Sequence, residues 1–309
     1  MDRRNFLTSG ALSTAGLMIC PHLEQWPDPS RKQEGSGKVA EIDWMSEVKK
    51  YRKIDSHAHV SFYEGSAEEQ LYFADKLGIE KLMISRPLTS MSQATPDNFK
   101  KANDLVMACM KRYPDRFTGM IFFNVAYQKE SLQEIDRCVD AGMVGAGELY
   151  RQVKINDPRY YPIIEKFIDL KMVIMQHSVV GYSRVRWCPD EPQSGSSIPE
   201  DFVDIAKRYP EGIFQYAHIG GGVDWEYACK VLQHSPNVYV GLAGSNNAAN
   251  MIDFAMQYIG EDRLVFGCDE SYYQGVGHLF SARLTDAQRK KIFFDNYNSI
   301  LKRSGNHVD

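Results

Sequence analysis

Two histidines separated by one residue, His57 and His59, are the side chains of this sequence best suited to hold a metal ion. They close the run 54–60, whose apolar flanks are typical of a short β-strand. Side chains of a strand alternate between its two faces, so these two imidazoles should point the same way. Two imidazoles that converge from one strand end supply half of a divalent metal site. The pair therefore predicts metal-dependent chemistry, provided that further ligands join it.

Further candidate ligands fall where later strand-like runs end. Besides the first pair, they are Glu148, His177, His218 and Asp269. The chain contains eight histidines, and four of them occupy such strand ends. That distribution favours a shared metal site over separate hydrogen-bonding roles.

Eight strand-like runs alternate with helix-like runs from residue 54 to the end of the sequence. The predicted strands are 54–60, 81–85, 117–125, 144–149, 172–177, 213–218, 238–242 and 264–268. The predicted helices, which carry apolar residues at helical spacing, are 67–77, 97–112, 132–141, 161–170, 200–209, 225–233, 248–259 and 286–302. The pattern predicts an α/β fold, a (β/α)8 TIM barrel, whose active sites lie at the carboxyl ends of the strands. A doubly wound open sheet is the alternative, but the sequence has no Gly-rich phosphate loop followed by an acidic residue.

The ordered set of these residues resembles the amidohydrolase superfamily, and more narrowly its amidohydrolase-2 group of TIM-barrel metal-dependent hydrolases. The resemblance extends over residues 51–301. The matching positions are His57-Ala58-His59, Glu148, His177, His218-Ile219-Gly220-Gly221, Gly267-Cys268-Asp269 and Ile292-Phe293-Phe294-Asp295-Asn296-Tyr297. The resemblance implies a centre of one or two divalent ions, commonly zinc, that activates water. It implies as metal ligands His57, His59, Glu148, His177, His218 and Asp269, and it favours Asp269 over the adjacent Glu270.

Two positions depart from that group. Glu270-Ser271-Tyr272-Tyr273 stands where an aromatic residue and a proline usually follow the aspartate, and Glu148 stands where many relatives have a carboxylated lysine or no ligand. The substrate and the number of ions therefore stay open. If Glu148 reaches inward, it can bridge a second ion that is held also by His177 and His218. If it does not, His177 becomes a third imidazole ligand of one ion, and His218 is free to orient or deprotonate the water.

The expected chemistry is the activation of water. An ion held by the first histidine pair and Asp269, with one open position, lowers the pKa of a bound water toward ~7 and polarises a carbonyl oxygen. Asp269 can accept the proton of that water, so Asp269 and His218 are the candidate catalytic residues. The predicted function is hydrolysis of a small ester, lactone or amide. The alternatives are a non-oxidative decarboxylase of the same family and an exported metal-site protein that binds a ligand without turnover.

Two arginines near strand ends, Arg86 and Arg151, are candidates for binding a substrate carboxylate, because a guanidinium can hold a carboxylate through two parallel hydrogen bonds. The expected partner is thus a small-molecule substrate, and a homo-oligomer is compatible with the sequence.

The formal net charge of -4 argues against a nucleic-acid partner. No apolar run reaches the ~18 residues of a membrane span. The six cysteines form no CxxC pair and are expected to be mostly buried thiols.

The first twenty residues form a segment of their own. Arg3-Arg4 followed by Phe6-Leu7, and then an apolar run to Cys20, resembles a twin-arginine export signal. The resemblance implies a partner in the twin-arginine export machinery and a folded, periplasmic protein, with lipidation at Cys20 as one route to a membrane anchor. Residues 21–47 are predicted to be a polar linker, and residues 48–309 the metal-dependent hydrolase barrel.

Overall fold

Eight short parallel strands form the centre of the fold. They are β1 (Ile54–His59), β2 (Lys81–Ser85), β3 (Phe117–Gly119), β4 (Gly145–Leu149), β5 (Val173–Gln176), β6 (Ile213–Tyr216), β7 (Val238–Gly241) and β8 (Leu264–Val265). The computed structural model describes residues 42–88, 90, 92–150, 153–178, 197–220, 224–244, 248 and 250–309. The predicted signal segment 1–20, the predicted linker up to residue 41, and Arg151 lie outside these ranges.

The strands pair in chain order, as β1-β2-β3 and as β4-β5-β6-β7-β8. Backbone hydrogen bonds join these two groups at both of their edges. The amide of Ile121 donates to the carbonyl of Gly145 over 2.7 Å, and the amide of Ser56 donates to the carbonyl of Phe266 over 3.0 Å. The eight strands therefore close into a (β/α)8 barrel, which confirms the predicted fold.

Each strand is followed by at least one helix, and one short helix precedes β1. The helices are α1 (Trp44–Lys49), α2 (Ser66–Leu77), α3 (Pro96–Arg112), α4 (Gln128–Asp140), α5 (Tyr161–Leu170), α6 (Pro199–Arg208), α7 (Trp225–Leu232), α8 (Met251–Tyr258), α9 (Tyr272–Ser281), α10 (Asp286–Lys290) and α11 (Asn296–Arg303). A π-helical turn, Lys291–Asp295, joins the last two. All eight predicted helices are present, with shifts of a few residues at their ends. Within the described residues, no helix is both long enough and apolar enough to cross a bilayer.

The third strand is shorter than predicted and ends at Gly119 rather than at residue 125. The reason lies in Asn103 of α3, which is fully buried. Its side-chain amide donates to the carbonyl of Phe122, and its side-chain oxygen accepts from the amide of the same residue, both over 2.9 Å. These backbone groups are thus satisfied by a side chain instead of a neighbouring strand.

Two helices were not predicted. The first, α1, occupies the end of the predicted linker, because the Asp43 side chain caps it by accepting from the amides of Met45 and Ser46. Residues 44–47, which were predicted to be linker, are therefore helical. The second, α9, contains Gly275 and Gly277, which are weak helix formers and hid it from a propensity argument. A side chain at Gly275 would lie 3.0 Å from the carbonyl oxygen of Gly267, so this glycine lets the helix pack closely behind β8.

The barrel interior is filled from its amino-terminal end. Side chains at the starts of the strands, among them Ile54, Val173 and Ile213, pack together with Tyr297 and Leu301 of α11. Each such buried side chain contributes roughly 1.5–3 kcal/mol. The four described cysteines, Cys109, Cys138, Cys229 and Cys268, are free and buried, as predicted. This packed floor leaves the carboxyl ends of the strands as the place for chemistry.

Candidate metal centre

The first strand presents both of its histidines to the same point. A register shift between Asp55 and Ala58 interrupts the pairing of β1 with β2. The Asp55 carboxylate stabilises this irregular segment, since one of its oxygens accepts from the amides of His57 and Cys268 over 3.0 Å and 2.9 Å. The Nε2 atoms of His57 and His59 then lie 3.1 Å apart. The predicted convergence of the two imidazoles is thus present.

Asp269 completes a first group of three ligand types with this pair. Its Oδ1 lies 3.1 Å from Nε2 of His59 and 3.6 Å from Nε2 of His57. β8 has already ended at Val265, so strand alternation does not orient this residue. Instead, Asp269 and Glu270 both have left-handed backbone angles, with φ of 47° and 62°, and the Asp269 amide donates to the His57 carbonyl over 2.8 Å. Asp269 faces the histidines, whereas Glu270 is exposed.

A second group consists of Glu148, His177 and His218, which lie within hydrogen-bonding distance of one another. Oε1 of Glu148 is 2.7 Å from Nδ1 of His177 and 3.3 Å from Nε2 of His218, and the two imidazole nitrogens are 3.1 Å apart. His177 and His218 lie one and two residues beyond β5 and β6. A backbone hydrogen bond holds the first of them in place, since the amide of His177 donates to the carbonyl of Leu149 over 3.1 Å.

Glu148 connects the two groups. While Oε1 faces His177 and His218, Oε2 lies 3.5 Å from Nε2 of both His57 and His59. Gly147 makes this orientation available, since its φ is 138° and a Cβ there would lie 2.7 Å from Cβ of Met175. One carboxylate therefore faces all four histidines, and the inward orientation on which the two-ion alternative depends is the one observed.

The ionisation states of these side chains suit cation binding. Burial raises the pKa of Glu148, but His177 and His57 outweigh it and hold that pKa well below its usual range. Burial also opposes ionisation of Asp269, whose pKa is nevertheless lowered by His57 and His59. Burial lowers the pKa of His57, yet Asp269 and Glu148 raise it to about 9. Burial lowers the pKa of His177, and this effect is larger than the raising effect of Glu148, so the pKa is lowered overall. Both carboxylates are therefore ionised at neutral pH, and a cation would replace the proton on His57.

The donor set fits a divalent metal. A tetrahedral ion with metal–nitrogen bonds of ~2.0–2.1 Å places neighbouring ligand nitrogens ~3.3 Å apart, and the atoms of the first group are 3.1–3.6 Å apart. Imidazole and carboxylate ligands suit zinc, manganese and iron alike. The Nδ1 atoms of His57 and His218 are buried and have no hydrogen-bond partner within the described ranges. The side chains thus form a site for a divalent cation, with a second group of donors beside it.

Arg86 was predicted to bind substrate, and it follows β2 directly. Its guanidinium lies over the ring of Phe62, with Cζ 5.2 Å from the ring centroid. Its Nε is buried and has no hydrogen-bond partner in the part of the chain that is described. Arg86 therefore lies at the end of β2, the strand that pairs with β1. Arg151 falls outside the described residues.

Two polar residues of the site were missed by the sequence analysis. Asp55 orders the backbone of β1, and the hydroxyl of Ser85 lies 3.1 Å from Nδ1 of His59. Both are strand residues that carry polar side chains in otherwise apolar runs, and this is the signal that could have identified them.

A model of the amidohydrolase family matches residues 54–296, a span that contains all six candidate ligands. No curated protein sequence matches the chain. Among solved structures, 2,6-dihydroxybenzoate decarboxylase from Rhizobium is similar, with a TM-score of 0.64 and 18% identity over 82% of this chain and 100% of that one.

Two further solved structures share the fold. A dihydroxybenzoic acid decarboxylase from Polaromonas sp. JS666, with bound manganese and the inhibitor 2-nitroresorcinol, has a TM-score of 0.64 and 16% identity over 82% of this chain and 97% of that one. 4-Oxalomesaconate hydratase from Rhodopseudomonas palustris has a TM-score of 0.61 and 17% identity over 81% of this chain and 96% of that one. At sequence identities of 16–18%, these similarities show that the fold is shared and nothing more.

Proposed function

This chain is an enzyme of the amidohydrolase family, and from that membership we propose that it is a metal-dependent hydrolase that activates water to attack a small ester, lactone or amide. The observation that carries the proposal is the position of Asp269. This carboxylate lies beside two candidate ligand imidazoles, and its side chain is 29% exposed, so it is open to the barrel mouth. A base at the border between a metal site and solvent is the arrangement that water activation needs.

We assign His57, His59 and Asp269 to one ion, and Glu148, His177 and His218 to a second position that shares Glu148 with the first. Zinc is the proposed ion, because the spacing of the first group of ligand atoms fits the tetrahedral geometry that zinc prefers. The manganese of the similar decarboxylase makes manganese the second choice. When bound, a divalent ion supplies a Lewis acid that polarises a carbonyl oxygen and makes water a stronger nucleophile.

The protein's own groups then move the proton. Asp269 is ionised because its pKa is lowered by the adjacent histidines, so it can accept a proton from water and return it to the leaving group. His218 is the second proposed catalytic residue, and its Nε2 lies 3.3 Å from Oε1 of Glu148 and therefore faces the candidate ligands. If one ion is bound, His218 would be free to orient or deprotonate the attacking water. If two are bound, it would be a ligand of the second.

Arg86 supports a substrate that carries a carboxylate. A buried guanidinium nitrogen without a protein partner in the described part of the chain is costly unless a ligand satisfies it. A carboxylate could accept from this group while an adjacent apolar part of the substrate packs near Phe62. We propose the same role for Arg151.

The second candidate function is non-oxidative decarboxylation. The similarity in fold to two dihydroxybenzoate decarboxylases favours it. In that reaction the bond from the substrate to its carboxylate carbon breaks, carbon dioxide leaves, and a proton replaces it on the substrate carbon. Arg86 would then orient a carboxylate that departs instead of one that only anchors the substrate.

One experiment separates the candidates. Purified protein is loaded with zinc or manganese and incubated with a panel of lactones, esters and amides, and in parallel with hydroxybenzoates. The hydrolase proposal expects acid release from the first panel without carbon dioxide, and carbon dioxide from the second panel alone would replace it with the decarboxylase. A protein that binds metal and ligand but turns over neither panel would be a binding protein.

We further propose that the protein is exported to the periplasm through the twin-arginine machinery, as the Arg3-Arg4 pair suggests. Arg3→Lys with Arg4→Lys should then retain the protein in the cytoplasm. Lys38→Arg, which changes a basic residue outside the signal segment, is the control and should leave export unchanged. Cell fractionation measures the outcome. Equal amounts of the double variant and the wild type outside the inner membrane would exclude this route.

A further inference from the structure

Ser85 connects two of the candidate ligands through one hydroxyl group. It is the last residue of β2 and is fully buried. Its Oγ lies 3.1 Å from Nδ1 of His59 and accepts a hydrogen bond from the backbone amide of Glu148 over 3.0 Å. These two partners belong to β1 and β4, and β4 does not pair with β2. One side chain therefore links the two groups of ligands across the barrel interior.

The positions of the hydrogens decide what this link does. The Glu148 amide can only donate, so Ser85 Oγ is already an acceptor there. A neutral imidazole carries its hydrogen on one nitrogen, and only the other can bind a metal. Nε2 of His59 is the atom that faces His57 and Asp269. For that atom to bind an ion, Nδ1 must carry the hydrogen and donate it to Ser85.

We propose that Ser85 is a positioning residue of the metal centre, which holds His59 in the tautomer that presents Nε2 to the ion and at the same time fixes the backbone of Glu148. The inference rests on the proposed metal-dependent function. Partners of this kind orient ligating histidines, and their loss typically weakens metal binding by about 10–100-fold. A serine suits the role because its oxygen can accept two hydrogen bonds at once.

The test measures zinc affinity by competition with a chromophoric chelator, on the full chain. Ser85→Ala should weaken binding about 10–100-fold with an unchanged far-UV circular dichroism spectrum. Ser56→Ala is the matched control. Ser56 is equally buried and precedes His57, but its hydroxyl accepts from Gln215 over 3.1 Å instead of contacting an imidazole. Its variant should bind zinc as the wild type does.

Nitrogen-15 NMR of histidine-labelled, zinc-loaded wild-type protein provides a measurement that does not depend on a variant folding. It should show a hydrogen on Nδ1 of His59. Zinc bound through Nδ1, or a Ser85→Ala variant that binds zinc as tightly as wild type or more tightly, would overturn the role of Ser85. A wild-type protein that binds no divalent ion would instead refute the proposed function, so the two failures are distinguishable.

Discussion

Asp269 and Glu270 show how much one backbone position matters at the residue scale. They are adjacent acids, and both have positive φ angles. Only Asp269 has its carboxylate against His57 and His59, while Glu270 is exposed. The different orientation of the two side chains comes from a left-handed turn and not from the alternation of a strand.

Asp269→Asn should lower kcat about 10²–10⁴-fold, the usual contribution of a positioned general base, because the amide keeps the shape but cannot accept a proton. At least one ion should be retained through the histidines. Glu270→Gln is the matched control and should have a far smaller effect. Steady-state kinetics with metal analysis checks both variants, and a dead Glu270→Gln beside a mild Asp269→Asn would require a different mechanism.

Lys53 is a buried charge at the other end of β1. Its ammonium donates to the carbonyls of Val48 and Tyr51 over 2.6 Å and 2.7 Å. Burial lowers its pKa to about 8, against the raising effect of Glu80. Between pH 8 and the unfolded value near 10.5, the unfolded chain therefore binds a proton that the folded chain does not. The contribution of Lys53 to the free energy of unfolding should therefore rise with pH across this window, by about 3 kcal/mol.

Lys53→Met removes this dependence, so the stability of the wild type relative to the variant should increase from about pH 8 to pH 10.5. Urea denaturation at several pH values measures this difference in the free energy of unfolding. The variant also leaves the carbonyls of Val48 and Tyr51 without the ammonium, but that cost is the same at every pH and does not change the slope. Lys111→Met, at an exposed position of α3, is the control. Parallel curves for wild type and Lys53→Met would mean that the two carbonyls keep the ammonium charged.

At the scale of elements, side chains replace missing strand pairing. After β3, Ile121 still pairs with β4, but the amide and carbonyl of Phe122 are satisfied by Asn103, whose side-chain amide also donates to Glu134 at a distance of 2.9 Å. α3 and α4 are thereby attached to the barrel wall by one buried side chain. The position of this segment matters because it lies between β2 and β4, which carry Ser85 and Glu148.

Asn103→Ala should destabilise the fold by about 3 kcal/mol, since it leaves the buried amide and carbonyl of Phe122 without partners. Asn98→Ala, on the exposed face of the same helix, removes one hydrogen bond to the Gln93 carbonyl and should cost less than ~1 kcal/mol. Chemical denaturation of both variants measures the costs. Equal costs would show that the side chain of Asn103 is not what stabilises this segment.

At the scale of the whole molecule, the candidate ligands come from five parts of the barrel. His57 and His59 lie on β1 and Glu148 on β4, while His177, His218 and Asp269 follow β5, β6 and β8. An unfolded chain cannot bring these groups together, so a bound ion should stabilise the closed barrel as a unit.

Chelation should therefore lower the free energy of unfolding, and zinc at about 100 times its Kd should restore about 2.7 kcal/mol. His57→Ala with His59→Ala should abolish this response together with activity. His234→Ala, which changes an exposed histidine, is the control. Thermal unfolding with elemental analysis measures the effect, and a chelated, metal-free wild type that remains active would contradict it.

Much of this molecule follows from the sequence alone. The eight strands and the convergence of His57 with His59 were predictable, because apolar periodicity and side-chain alternation are local properties of the chain. The barrel was predictable from the count and order of strands and helices. The five remaining strand-end residues could be named for the same reason, although not their contacts: Arg86, Glu148, His177, His218 and Asp269.

The tertiary structure decided how these residues meet. Glu148 faces both groups because Gly147 has a φ of 138° and fits against Met175, and Asp269 turns inward through a left-handed backbone. Ser85 contacts β4 only once the barrel has closed. Each of these arrangements depends on contacts between residues far apart in the chain, and such contacts leave no periodic signal in the sequence.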